Sequence, residues 1–190
     1  MNIILLGPPG GGKGTEGRLL AQDLDLKRLS IGAMLRKKIK EDPASSEEIR
    51  NIVAKGLNVP GELLYSVLSK WLDKNKNAFV IDNFPRSIPQ LNVFKKLYVQ
   101  GRIKIDKVFH LFVSEETSLK RLLERKEERQ KRGELRIDET VEVIKNRYRT
   151  GYIRDIPIIL EYFQNLGILE EIDAEKSVEE VHQDVLGRLI

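Results

Sequence analysis

Apolar residues follow two rhythms along this chain. Short continuous runs occur at Asn2 to Leu6, Leu26 to Leu29, Ala78 to Ile81, Val108 to Val113 and Ile168 to Ile172. Such runs, rich in Ile, Leu and Val and too short for a membrane span, predict strands buried on both faces of a parallel sheet. Between them, apolar positions return every three or four residues, the helical period. Helices are expected over Glu16 to Leu24, Ile31 to Ile39 behind the capping residue Ser30, Glu47 to Lys55, Gly61 to Trp71, Pro89 to Gln100, from Glu115 onward, Asp138 to Phe163, and Ser177 to Leu189. The helix after Pro60 shows the clearest face, with Leu63, Leu64, Val67, Leu68, Trp71 and Leu72 in one stripe. Gly151 and Pro157 predict an irregularity in the long late helix.

Strands alternating with helices predict an α/β fold, a five-stranded parallel sheet with helices on both faces, because parallel neighbours need crossover connections. Two segments fit that scheme poorly and are expected to be inserts over the loop that follows the first strand. One is 30–59, a set of small helices; the other is 126–137, a short charged lid. The core is then 1–29, 60–125 and 138–190.

The first strand runs into GPPGGGKGT, where Gly7, Gly10, Gly12 and Gly14 free the backbone to turn tightly and aim N–H groups inward. Lys13 follows as a point charge, and the next helix points its positive end at the same spot. The spacing Gly-x-x-x-x-Gly-Lys matches a phosphate-binding loop, although the hydroxyl due directly after the lysine comes one residue later, at Thr15. A flexible linker is the alternative, but strand, loop and helix together fit a nucleotide phosphate. Such a loop does not say what is done with the nucleotide.

Composition narrows this reading only slightly. At 190 residues the chain suits one domain, and 33 Lys and Arg against 29 acids give a mild formal charge of +4, suited to small polyanions. No basic stripe interleaved with aromatics suggests nucleic acid. The absence of cysteine excludes disulfides and thiolate zinc sites. No apolar stretch approaches a membrane span and no basic region precedes the first apolar run, so a cytoplasmic protein is expected.

GPPGGGKGT and DNFPRSIPQ, from Asp82 to Gln90, resemble the two signatures of the nucleoside monophosphate kinases, and most closely those of adenylate kinases with a short lid. GAMLR at Gly32, RLLER at Arg121, RIDE at Arg136, Arg147 and IDAEKSVEEV at Ile172 extend the similarity from end to end. The resemblance implies a P-loop fold and reversible, magnesium-dependent transfer of the terminal phosphate of ATP to AMP, giving two ADP, by a monomer acting on free nucleotides. A kinase of UMP or CMP is the alternative within the fold. A nucleotide-sensing module with little catalysis is the alternative outside it.

The resemblance also implies roles. Gly10, Gly11, Gly12, Lys13, Gly14 and Thr15 would hold the donor phosphates, with Arg121, Arg125 and Lys176 also on the ATP side. Ser30, Ile31, Arg36, Val59, Asn83, Arg86 and Gln90 would form the AMP site, together with Arg136 and Arg147. Lys13, Arg86, Arg121, Arg125, Arg136 and Arg147 would be the catalytic cations, and Asp82 would position magnesium through water. Zinc has no expected place, since only ten residues separate Arg125 from Arg136, too few for the metal-binding lid domain of long-lid relatives. From the residues alone, Asp82 could instead cap its strand, Asp138 could cap a helix, and Arg121 with Arg125 could be a solvated pair at i and i+4. His110 and His182 are expected to be structural or exposed. The chain departs from the family pattern at Glu16, Ile31, Ala33 and Asn83, where Gln, Thr, Asp and Gly are usual.

Overall fold

Five parallel strands pair in the order β2-β3-β1-β4-β5: β1 Asn2–Leu6, β2 Lys27–Ser30, β3 Phe79–Asp82, β4 Lys107–Phe112 and β5 Leu169–Asp173. The computed structural model describes residues 1–41, 47–55, 59–134 and 141–189. Helices fill the connections: α1 Lys13–Asp23, α2 Ile31–Glu41, α3 Glu47–Ala54, α4 Gly61–Lys74, α5 Ile88–Val99, α6 Glu115–Lys131, α7 Val141–Asn146, α8 Ile156–Asn165 and α9 Val178–Gly187.

The continuous apolar runs are explained by burial on two sides. Along β1, Ile3 and Leu5 face one core with Val80, Phe109, Leu111 and residues of α1 and α9. Ile4 and Leu6 face the other, with Ile81, Val108 and residues of α4, α5 and α8. The stripe on α4 packs as its spacing predicts, with Leu64, Leu68 and Leu72 buried and Trp71 edge-on to Phe79 at 5.5 Å between ring centroids. Phe94 of α5 meets Phe163 of α8 edge-on at 5.0 Å, a contact of the kind worth about 1 kcal/mol beyond area burial.

One boundary differs from expectation. Helix α6 runs unbroken to Lys131, so 126–131, expected as lid, continues the helix that carries Arg121 and Arg125. Its sequence is dense in both charge signs, and such a helix needs no apolar stripe when i,i+4 pairs support it. Between α7 and α8 the chain forms a π-helical stretch, Arg147–Ile153, where Gly151 marked an irregularity. Within 30–59, Ile31, Leu35, Ile39, Ile49 and Val59 are buried in the same core as α4.

From β1 the connections lead to β2 and β3 on one side and to β4 and β5 on the other. Open α/β sheets bind ligands where the strand order diverges in this way, outside the strands' carboxyl ends. The glycine loop leaves β1 at that point.

Candidate active site

A cleft of about 930 Å³ opens over the carboxyl ends of the strands. Its floor is the glycine loop. Gly10 adopts φ +81°, and a Cβ there would stand 2.7 Å from the Ser118 carbonyl oxygen, so only glycine lets the loop lie this close to α6. The Ser118 hydroxyl, buried on α6, donates to the Pro9 carbonyl and ties loop and helix together.

Lys13 begins α1 and curls back over the loop, its Nζ donating to the carbonyls of Gly7 at 2.9 Å and Pro8 at 2.7 Å. Burial lowers its pKa to about 8; Asp82 opposes the shift, while Arg86 and Arg125 reinforce it. Those effects place the loop lysine within the electrostatic reach of the strand-end acid and of two arginines from different elements.

Asp82 ends β3, opposite Leu5 of β1 and Ser30 of β2. Its Oδ2 is 2.7 Å from Nη2 of Arg28, and its Oδ1 accepts from the Ser30 hydroxyl at 3.0 Å. The carboxylate therefore lines the cleft inside an ion pair. Among the described residues no group of three or more His, Asp or Glu side chains could cage a metal ion. A single carboxylate beside a phosphate loop fits magnesium, which keeps most of its water and takes its other ligands from nucleotide phosphates.

Asn83 follows at φ +67°, a left-handed conformation, and donates its backbone N–H to the Leu5 carbonyl at 3.0 Å. This accounts for the departure from glycine, since asparagine is among the few other residues that tolerate the conformation. Beyond it the Phe84–Pro85 peptide is cis. The backbone N–H of Arg86 donates to Gln90 Oε1 at 3.1 Å. Gln90 is 1% exposed, and its Nε2 meets no hydrogen-bond partner among the described residues.

The structure brings most of the expected residues to one place. Gly10 through Thr15, Ser30, Arg36, Asp82, Asn83, Arg86, Arg121, Arg125 and Lys176 all line the cleft. Ile31 and Val59 do not, because both are 2% exposed and packed into the core behind it. Gln90 sits behind Arg86 rather than on the cleft wall. Arg136 and Asp138 lie outside the described residues, as does the side chain of Arg147, whose backbone belongs to the π-helical stretch.

Other residues of the cleft were not foreseen. Arg28 lines it beside Asp82, and Arg129 and Arg132 join Arg121 and Arg125 along its wall. Tyr152 of the π-helical stretch lines it too, its Oη 2.6 Å from Nε2 of His110, whose Nδ1 lies 3.1 Å from Glu171. Arg28 had a legible signal: it stands two residues before Ser30, and strand residues two apart share a face. Tyr152 had none.

A parallel sheet with a phosphate loop at its switch point, facing a ring of arginines drawn from α2, α5's approach and α6, defines a P-loop phosphotransferase of small anionic substrates. The adenylate kinase family model matches residues 5–168. An adenylate kinase of Nitrobacter hamburgensis is 34% identical over 97% of this chain and 90% of its own length. One from a Chelativorans species is 30% identical over 100% and 98%, and one from Methylorubrum populi 32% identical over 100% and 96%. The chain belongs to the adenylate kinase family, and is thus a nucleoside monophosphate kinase. This favours the adenylate kinase reading over the pyrimidine-kinase and sensing-module alternatives.

Proposed function

We propose that the cleft holds ATP on the glycine-loop side and AMP on the side of Arg36, Arg86 and Gln90, and transfers the terminal phosphate of ATP to AMP reversibly, giving two ADP. The observation that carries this reading is the coupling of Gln90 to Arg86. An arginine suited to the acceptor phosphate donates its backbone N–H to a buried glutamine whose own amide N–H groups are unmet. A buried donor without a partner is costly, and an adenine edge offers it an acceptor while the second lone pair of Oε1 takes the exocyclic amine.

Phosphoryl transfer asks little covalent chemistry of a protein; it asks for two polyanions held in line with their charge neutralised. Lys13 gives up its contacts to the Gly7 and Pro8 carbonyls to meet donor oxygens beside the loop amides. Arg86 and Arg36 fix the acceptor phosphate, and Arg121 and Arg125 spread positive charge over the group in flight. Arg136 and Arg147 complete that set from the segment after α6. Arginine suits these positions because its planar fork grips two phosphate oxygens together. Magnesium, when bound, would neutralise charge on the donor phosphates, and Asp82 would hold its hydration shell.

Helices α2 and α3 on one side and the charged end of α6 on the other close over the nucleotides and exclude water. The protein works as a monomer in the cytoplasm on free nucleotides; no helix among the described residues is long and apolar enough to cross a membrane. Calorimetric titration with monophosphates in the absence of donor tests the acceptor assignment. AMP should bind, and Arg86→Ala should abolish that binding while leaving ATP binding within a few fold. Preference for UMP or CMP, or equal loss of both substrates, contradicts it.

A further inference from the structure

The ion pair between Arg28 and Asp82 joins the end of β2 to the end of β3 on the floor of the cleft. Arg28 lies flat against α1: a Cβ on Gly17 would stand 3.2 Å from its Nε, and one on Gly14 3.5 Å from its Nη2. Two glycines one helical turn apart thus make room for a guanidinium beside the phosphate loop. Arg28 is 28% exposed and Asp82 7% by side chain, so the pair is only partly screened by water. The fit is not that of a pure brace. Nε of Arg28 is buried and meets no hydrogen-bond partner among the described residues, while both oxygens of Asp82 are engaged, one by Arg28 and one by Ser30.

This arrangement weakens the field that Asp82 offers a cation. A carboxylate paired with a guanidinium at 2.7 Å presents almost no net charge to a third group beyond it. Ala33, exposed in the first turn of α2 on the same cleft, adds no carboxylate of its own to Asp82.

Resting on the donor site proposed above, we propose that Arg28 is a positioning residue that holds Asp82 in an ion pair and so sets how tightly a divalent cation is bound beside the donor phosphates. The nucleotide carries most of the metal's ligation, and Asp82 contributes fully only where Arg28 swings away. Removing the Arg28 charge frees the carboxylate for the cation.

The test uses Mn²⁺ as the probe, titrated into protein saturated with the β,γ-methylene analogue of ATP, with free Mn²⁺ read by electron paramagnetic resonance. A unit charge one carboxylate away from a dication changes its affinity by about tenfold in a water-like dielectric. Arg28→Gln should therefore tighten Mn²⁺ about tenfold, Arg28→Lys should stay near the native value, and adding Asp82→Asn to Arg28→Gln should erase the gain. In the native background Asp82→Asn alone leaves the Arg28 charge uncompensated and should weaken Mn²⁺ about tenfold, and Arg28→Gln in that variant should restore near-native affinity. The Asp82→Asn arm stands even where Arg28→Gln fails to fold. An Arg28→Gln affinity equal to or weaker than native, an Arg28→Lys protein that follows Arg28→Gln, or an Asp82→Asn protein with undiminished Mn²⁺ affinity overturns the inference. A protein that binds no analogue overturns the donor site as well; one that binds it with Mn²⁺ affinity indifferent to Arg28 overturns the inference alone.

Discussion

Nδ1 of His182 lies 3.0 Å from Oε1 of Glu16, linking the last helix to the first turn of the helix that carries the phosphate loop. The other ring nitrogen lies 2.9 Å from Oδ2 of Asp23, at the far end of α1. His182 is 7% exposed and Glu16 2%. The departure from glutamine at position 16 is thereby explained, since a buried acid needs a partner and α9 brings one.

Burial pulls the His182 pKa down, but its hydrogen bonds to Asp23 and Glu16 outweigh that and raise it above the ordinary 6.5. A histidine raised in the folded state contributes stability fully below its unfolded value and loses it as pH rises through the folded one. His182→Ala should cost about 2–4 kcal/mol, because it leaves the Glu16 carboxylate buried and unpaired. Thermal melts of both proteins should diverge most on the acid side of 6.5 and converge as pH rises; a constant gap would show that the charge of His182 is not involved.

Lys13 sets a second dependence on pH. With its pKa lowered to about 8 by burial, it is protonated at neutral pH and loses its charge in moderately alkaline solution. Since kcat/KM reports the free enzyme, kcat/KM for ATP should fall as pH rises through about 8. The kcat profile should fall later, because bound polyphosphate favours the charged lysine. A flat kcat/KM profile across that range would remove Lys13 from donor binding.

Asn83 holds a left-handed conformation at φ +67° at the acceptor side of the cleft. Asn83→Gly should leave stability within a few tenths of a kcal/mol, whereas Asn83→Ala should cost roughly 1 kcal/mol for a Cβ in that region. Urea denaturation of the two variants reads the difference directly.

Gln90 is the residue proposed to read the base. Gln90→Ala also removes the acceptor of the Arg86 backbone N–H, so stability should fall by about 1–3 kcal/mol while KM for AMP rises about tenfold or more, the loss of one to two hydrogen bonds. A comparable rise in KM for ATP would place Gln90 outside acceptor recognition.

The strands were legible because burial on both faces writes itself as continuous apolar sequence; each observed strand lies within a residue or so of its expected place. The glycine loop was legible for a local reason, its geometry being made by residues within eight positions of one another. The pairs that tune the site were not. Arg28 and Asp82 stand 54 residues apart, and Glu16 and His182 166 apart, so only the strand order and the packing of α9 on α1 bring them together. The side chains of Ile31 and Val59 lie in the core behind the cleft, because motif position places a residue near the acceptor whereas core burial decides which way its side chain faces. The extent of α6 was hidden because a charged helix and a charged loop share a composition.

Turnover with a panel of acceptors tests the account most directly. ADP formation from ATP and magnesium should be followed with AMP, UMP, CMP and GMP offered separately, in the native protein and in Gln90→Ala. The predicted result is turnover with AMP far above the others, reduced by the substitution. Turnover with a pyrimidine monophosphate in place of AMP, or none with any acceptor while ATP still binds, would contradict it.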